Sequence, residues 1–211
     1  MCYNKEASIT VFIYSVTLTF FLWNRNYPND RFMALISLAV AALQFTEFLI
    51  WTDQKCNKLN HYATIATHII IMLQPLCVLA AAYYYNNTII SKDLLLLPAA
   101  AYLYWLFYYV NKLLKHKPLY CTKPDKDGYL DWSNQERYWG NRERLMYFLP
   151  LIIFLLMKNK LYGYYVFALL VSIMTISIKK IGYNSPWASV WCFFGNSLPL
   201  YTLILGKIFY K

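Results

Sequence analysis

The sequence predicts an all-α polytopic transmembrane helical bundle of about seven spans, and three observations predict it. Seven apolar runs divide the chain, most of them near the length a bilayer crossing needs. Hydrophobic residues make up 59% of the 211 residues and charged ones 14%, where a soluble domain carries about 25% charged residues and under ~50% apolar ones. The Lys and Arg residues lie almost entirely in the short gaps between the runs, where charges must sit if the runs are in lipid. Continuous apolar runs also argue for helices over barrel strands, which would alternate polar and apolar residues over short segments.

A hydrocarbon core of roughly 30 Å needs about 20 apolar residues in a helix. The runs are 7–23, 32–52, 61–85, 94–110, 145–157, 161–178 and 186–206. The first lacks a basic leader and a small-residue cleavage site, so it reads as a retained span. The run 145–157 is short and contains Pro150, which makes six spans the alternative to seven. The one long connector, 111–143, is broken by Pro118, Pro124 and Gly128 and is too small for a separate domain. The chain therefore reads as a single transmembrane domain with one extramembrane connector and no internal repeat. The clusters Tyr83-Tyr84-Tyr85 and Tyr108-Tyr109, among 21 tyrosines, fit interfacial belts.

With seven spans, the N-terminus and the second, fourth and sixth connectors share one side, the N-face. It carries 13 of the 20 Lys and Arg residues against 7 opposite, which favours a cytoplasmic N-face. That excess comes wholly from the long connector. Cysteines point the other way. Cys2, Cys56 and Cys121 lie in N-face segments and Cys192 near the N-face end of the last span, an arrangement that suits disulfides in an oxidising compartment. The alternative is free thiols in small apolar niches, and the two readings of orientation stand opposed.

Ionisable and amide groups inside spans are functional candidates by default. Glu47 lies in the second run with Gln44 one turn before it on the same helix face. His68 is in the third run, and Gln74 there precedes Pro75, whose missing N–H frees a carbonyl one turn earlier. Asn196 lies in the seventh. At about 1.5 Å per residue, Glu47 is roughly 8 Å and His68 roughly 10 Å below the N-face. Gln44, Glu47, His68, Gln74 and Asn196 are thus expected to line a polar cavity opening towards that face. The competing expectation is a static interhelical network. Above it, Cys2, Trp51, Asp53, Cys56, Asn60, His61, Cys121, Trp132 and Cys192 form an expected N-face cluster.

Several chemistries lack their residues. A retinal site needs a lysine in the middle of the last span, and Lys207 lies at its end. A three-histidine zinc site would have to recruit His61, His68 and the loop residue His116, and no cysteine pair has zinc-motif spacing. No G-x-S-x-G or nucleotide loop occurs. No catalytic set, metal or cofactor is expected. The formal charge of +10 is dispersed among membrane-flanking gaps, so it implies lipid headgroups rather than nucleic acid as partner. The sequon Asn86-Asn87-Thr88 lies too close to the bilayer to be a reliable acceptor.

The opening Met1-Cys2-Tyr3-Asn4 with Ala7-Ser8 carries a resemblance. So do Gln44 and Glu47 followed by Trp51, Asp53, Cys56 and Asn60, the Gln74-Pro75 pair, Gly128-Tyr129-Leu130-Asp131-Trp132, and Trp191-Cys192. In this order, through almost the whole chain, they resemble a family of uncharacterised multi-pass membrane proteins from giant DNA viruses and algae. Tyr3 and Tyr129 depart from the Trp and His of that pattern, and the lost His weakens any metal proposal for the loop. The resemblance implies a viral or algal membrane protein and no established activity. The residues themselves favour a small transporter or channel-like protein handling an ion or small solute. A receptor-like or structural protein of a virion or organelle is the alternative, and a lipid-modifying membrane enzyme the third reading.

Overall fold

The computed structural model describes residues 4–115, 120–131, 141–181, 191 and 194–210, and the regular structure among them is helical. Helix α1 (Lys5–Arg25) starts at Asn4, whose side chain accepts from the Ala7 N–H at 2.7 Å. It is followed by α2 (Asp30–Thr52), α3 (Lys58–Tyr85) and α4 (Lys92–Leu114). The turns between α1 and α2 and after α3 are built on asparagines with positive φ: Asn26 at 54°, Asn29 at 69° and Asn86 at 49°. Asparagine tolerates this left-handed geometry because its short side chain hydrogen-bonds locally.

After the connector come α5 (Asn141–Phe148), a 3-10 segment (Leu149–Leu156), α6 (Lys160–Ile181) and α7 (Leu198–Phe209). Among the described residues, five helices, α1 to α4 and α6, are long and apolar enough to cross a membrane. Their ends fall within four residues of the expected runs.

The other two expected runs are built differently. Run 145–157 is α-helical only to Phe148; the 3-10 winding then begins with Pro150 in its first turn. A 3-10 helix rises about 2.0 Å per residue against about 1.5 Å in an α-helix, so the sixteen residues from Asn141 to Leu156 extend roughly 28 Å. The segment ends against the turn after α3. There Ile89 N–H donates to the Leu156 carbonyl and Lys158 N–H to the Asn87 carbonyl, both at 2.8 Å. Helix α6 returns beside it, and Gly163 permits the approach: a Cβ there would overlap the Phe154 carbonyl oxygen. In run 186–206, residues 186–190 and 192–193 lie outside the described residues. A turn at 196–197 precedes α7, which starts with Pro199 in its first turn.

Helices α2 and α3 form the centre. In each, 56% of the most apolar stretch is buried, against 22% for α1 and 28% for α4. Helix α1 packs mainly on α2, and α4 and the 3-10 segment pack on α3. Large apolar side chains stand exposed on the outer faces of the described helices. Phe20, Leu97, Tyr104 and Phe107 are each at least 69% exposed, a distribution suited to a lipid surround. Pro75 in α3 disturbs the backbone bonding of the preceding turn, and the Tyr102 hydroxyl of α4 donates to the Met72 carbonyl there at 2.8 Å.

Candidate functional site

The half of the bundle nearer the N-face holds a fully buried polar layer between the two central helices and α4. Gln44 and Glu47 lie three residues apart on α2, and the Gln44 amide donates to Glu47 Oε2 at 3.1 Å. One residue before Glu47, the Thr46 hydroxyl accepts from the Thr67 hydroxyl of α3 at 2.8 Å. One residue after Thr67, His68 Nδ1 meets the Tyr109 hydroxyl of α4 at 3.2 Å. The sequence expectation of an acid and an imidazole on neighbouring helices thus corresponds to a layer stitched by the Thr46–Thr67 bond. Around the carboxylate, its amide, hydroxyl and imidazole members both donate and accept.

Gln74 lies deeper along α3, apart from this layer. The Gln74 amide donates to the Ala39 carbonyl at 3.3 Å, and its oxygen accepts from the Tyr147 hydroxyl at 2.7 Å; Tyr147 in turn accepts from Trp191 Nε1 at 3.0 Å. Gln74, Pro75, Tyr147 and Trp191 line a cavity of about 30 Å³ together with apolar side chains of α2, the 3-10 segment and α6. That holds on the order of two waters. Glu47 and His68 are not in its wall. The Asn196 backbone carbonyl accepts from the Ser15 hydroxyl of α1 at 3.3 Å. The five expected cavity residues are therefore all buried, but of the five this cavity takes its wall from Gln74 alone.

Above the upper layer, the N-face cluster is organised by the long connector folding back over the α2–α3 turn. Cys56 and Cys121 are joined by a disulfide, with Cα atoms 5.2 Å apart, inside the usual range for such bonds. Asp53, largely buried, accepts from the Asn57 side chain at 3.0 Å and the Asn60 N–H at 3.1 Å. Asn60 then pairs with the connector backbone. Its amide donates to the Thr122 carbonyl and its oxygen accepts from the Thr122 N–H, both at 2.9 Å. His61 Nδ1 accepts from the Tyr120 N–H at 3.0 Å. Trp51, half-buried, lines an open groove with Asp53 at the same turn. Cys2, Trp132 and Cys192 lie outside the described residues. The remaining cysteine, Cys77, is free.

The Gly128-Tyr129-Leu130-Asp131 motif is a turn. Asp125 Oδ1 accepts from the N–H groups of Asp127 and Tyr129 at 3.0 and 2.9 Å, Gly128 takes φ 79°, and Pro124 pairs with Leu130. A side chain here would be strained at Gly128, because L-residues rarely adopt that φ.

Sequence reasoning missed a second polar centre, at the opposite face. Arg25 makes a two-pronged ion pair with Asp30 at 2.8 and 2.7 Å and also donates to the Leu203 carbonyl at 3.0 Å. Asp30 further accepts from the Tyr27 N–H at 2.9 Å. Gly206 is small enough to admit the guanidinium, which a Cβ would strike. Beside this pair, Asn29 and Asn159 donate to the Tyr210 hydroxyl at 2.6 and 3.1 Å, and Asn87 donates to Asn29 Oδ1 at 3.1 Å. Burial pushes the Tyr210 phenol above its ordinary pKa against the lowering effect of those two amides. The available signal was an acid five residues after an arginine, across a turn rich in asparagine.

Among the described residues, no three His, Cys, Asp or Glu side chains gather as metal ligands. No protein-family model, curated protein or solved structure matches the chain.

Proposed function

We propose that the chain crosses a membrane seven times and acts as a small transporter or channel-like protein for a proton or small polar solute, with Glu47 and His68 as its working layer. The observation that carries this reading is a carboxylate with no exposed surface, held in the two central helices of an apolar-coated bundle one bonded layer from a buried imidazole. A carboxylate in such a place must be paired, hydrated or protonated, and intramembrane acids that meet this demand recur in proton and substrate paths. The 3-10 winding brings the apolar part of this segment, Leu145–Leu156, to roughly 22 Å, which supports counting it as a crossing with the charged residues Arg142, Glu143 and Arg144 at its N-face end. The Cys56–Cys121 disulfide supports an N-face on the oxidising side of the membrane, against the basic-residue count.

Reconstitution into liposomes tests the reading. Proton or solute flux is expected to vary with pH in the native protein, and Glu47→Gln should flatten that dependence with little loss of folded protein. Flux that keeps its pH profile in the variant would remove Glu47 from the path.

A second reading, a structural or receptor-like membrane protein, is favoured by one observation. The Gln74 and Tyr147 groups are bonded to protein partners around a cavity of only about 30 Å³. Under it, liposomes show no flux and Glu47→Gln changes only the melting temperature.

A further inference from the structure

We propose that residues 120–122 are a strap that closes the N-face over His68, and that the Cys56–Cys121 disulfide fastens it shut. The strap has no regular secondary structure of its own. It is held from below by side chains of α3. Tyr120, almost wholly buried, stacks on His61 with ring centroids 5.7 Å apart and planes 14° from parallel. The same ring leans over His68 at 6.3 Å, and its hydroxyl donates to the Leu113 carbonyl at 3.1 Å. Two residues on, Thr122 pairs with Asn60 as one strand pairs with another, and its hydroxyl meets that of Thr64 at 2.9 Å.

The receiving surface is braced independently of the strap. Asp53 accepts from the Asn60 N–H, and the Asn60 amide also donates to the Asp53 carbonyl at 2.8 Å. Lifting residues 120–122 would thus leave Asn60 anchored within α3 and the α2–α3 turn, while uncovering Asn60, Thr64, His61 and the imidazole of His68. That combination, a fixed seat and a seated segment with no fold of its own, is the architecture of a removable cover.

The covalent bond decides how often the cover lifts. It joins positions 65 residues apart, and closing so long a loop covalently favours the seated arrangement by as much as roughly a thousandfold over the uncrosslinked chain. Opening requires a two-electron reductant: a dithiol yields the two thiols and departs as its cyclic disulfide, and a phosphine with one water yields the two thiols and the phosphine oxide; a thiol oxidant reverses the step. That the cover controls flux rests on the reading of Glu47 and His68 as a working layer. That it lifts does not.

Diethyl pyrocarbonate, which acylates accessible imidazoles, tests the strap on the full chain in nanodiscs, with His61 and His68 followed separately by peptide mass spectrometry. Both should react at least about tenfold faster after reduction with a phosphine and slow again on reoxidation, given the loop-closure advantage lost. Equal rates in the oxidised and reduced protein would overturn the proposal. So would a rise at His61 alone, because the strap would then not cover His68. If reduction also lowers the helical circular dichroism, the double variant Cys56→Ser/Cys121→Ser decides, since it removes the fastening bond without a reductant and keeps the hydrogen bonds of Thr122 to Asn60. A several-fold rise at both histidines in that folded variant supports the strap, and no rise refutes it. Faster acylation in a protein without flux keeps the strap and removes the transport reading; flux without redox-dependent acylation does the reverse.

Discussion

Two buried carboxylates, Asp30 and Glu47, stand at opposite ends of the same helix and are handled in different ways. Asp30, 1% exposed, is gripped by the Arg25 guanidinium through two bonds, and Arg25 is itself fixed to a carbonyl of α7. Glu47, 0% exposed, accepts from the amide of Gln44 in a layer with threonine hydroxyls and an imidazole. A guanidinium stays charged at any physiological pH, so the first arrangement fixes a charge and ties three helical elements together. Amides, hydroxyls and imidazoles donate or accept as required, and the proposed function makes the second arrangement the place where a proton arrives or departs. The comparison teaches that burial of an acid is not by itself a sign of function, since Asp30 is as buried as Glu47 and is held by a fixed charge.

The sharpest way to break this comparison is at the strut. Asp30→Ala strands Arg25 in a largely buried position, and removing one partner of such a pair costs about 3–5 kcal/mol. Chemical unfolding in detergent should register that loss, the largest of any single change considered; a cost under about 1 kcal/mol would mean that the pair behaves like an exposed one. An intermediate effect is expected at Tyr147, which links Gln74 to Trp191. Tyr147→Phe keeps the ring and removes the hydroxyl, leaving two buried groups short of a partner at about 1–3 kcal/mol. A variant as stable as the native protein would show that water in the adjoining cavity replaces the hydroxyl. The smallest effect belongs to the proposed site. Glu47→Gln preserves shape and hydrogen-bonding capacity, so its stability should fall within about 1 kcal/mol of native. A loss as large as that of Asp30→Ala would make Glu47 a strut too.

The central helices were legible because apolar continuity is a local property: α2, α3 and the buried positions of Gln44, Glu47 and His68 follow from counting residues inside runs. The convergence of Cys56 and Cys121 was legible as well, through the alternation of faces, although not the choice between thiols and a disulfide. The Arg25–Asp30 pair was hidden because a charge count treats every residue in a gap as solvated, whereas the α7 carbonyls and Gly206 that enclose Arg25 come from the far end of the chain. The reach of Asn141–Leu156 was hidden for another reason. Composition gives residue number, not rise per residue, and the 3-10 winding lengthens what looks too short. Tyr120 and Thr122 carried no signal at all, since their partners lie on α3 some sixty residues earlier.

The most direct test of the account is whether Glu47 itself exchanges a proton within the working range. Infrared difference spectra of the reconstituted protein between neutral and acidic pH would reveal the carbonyl stretch of a newly protonated carboxylic acid in an apolar setting. The account requires such a band in the native protein and its absence in Glu47→Gln. The same band in both proteins, or none in either, would contradict it.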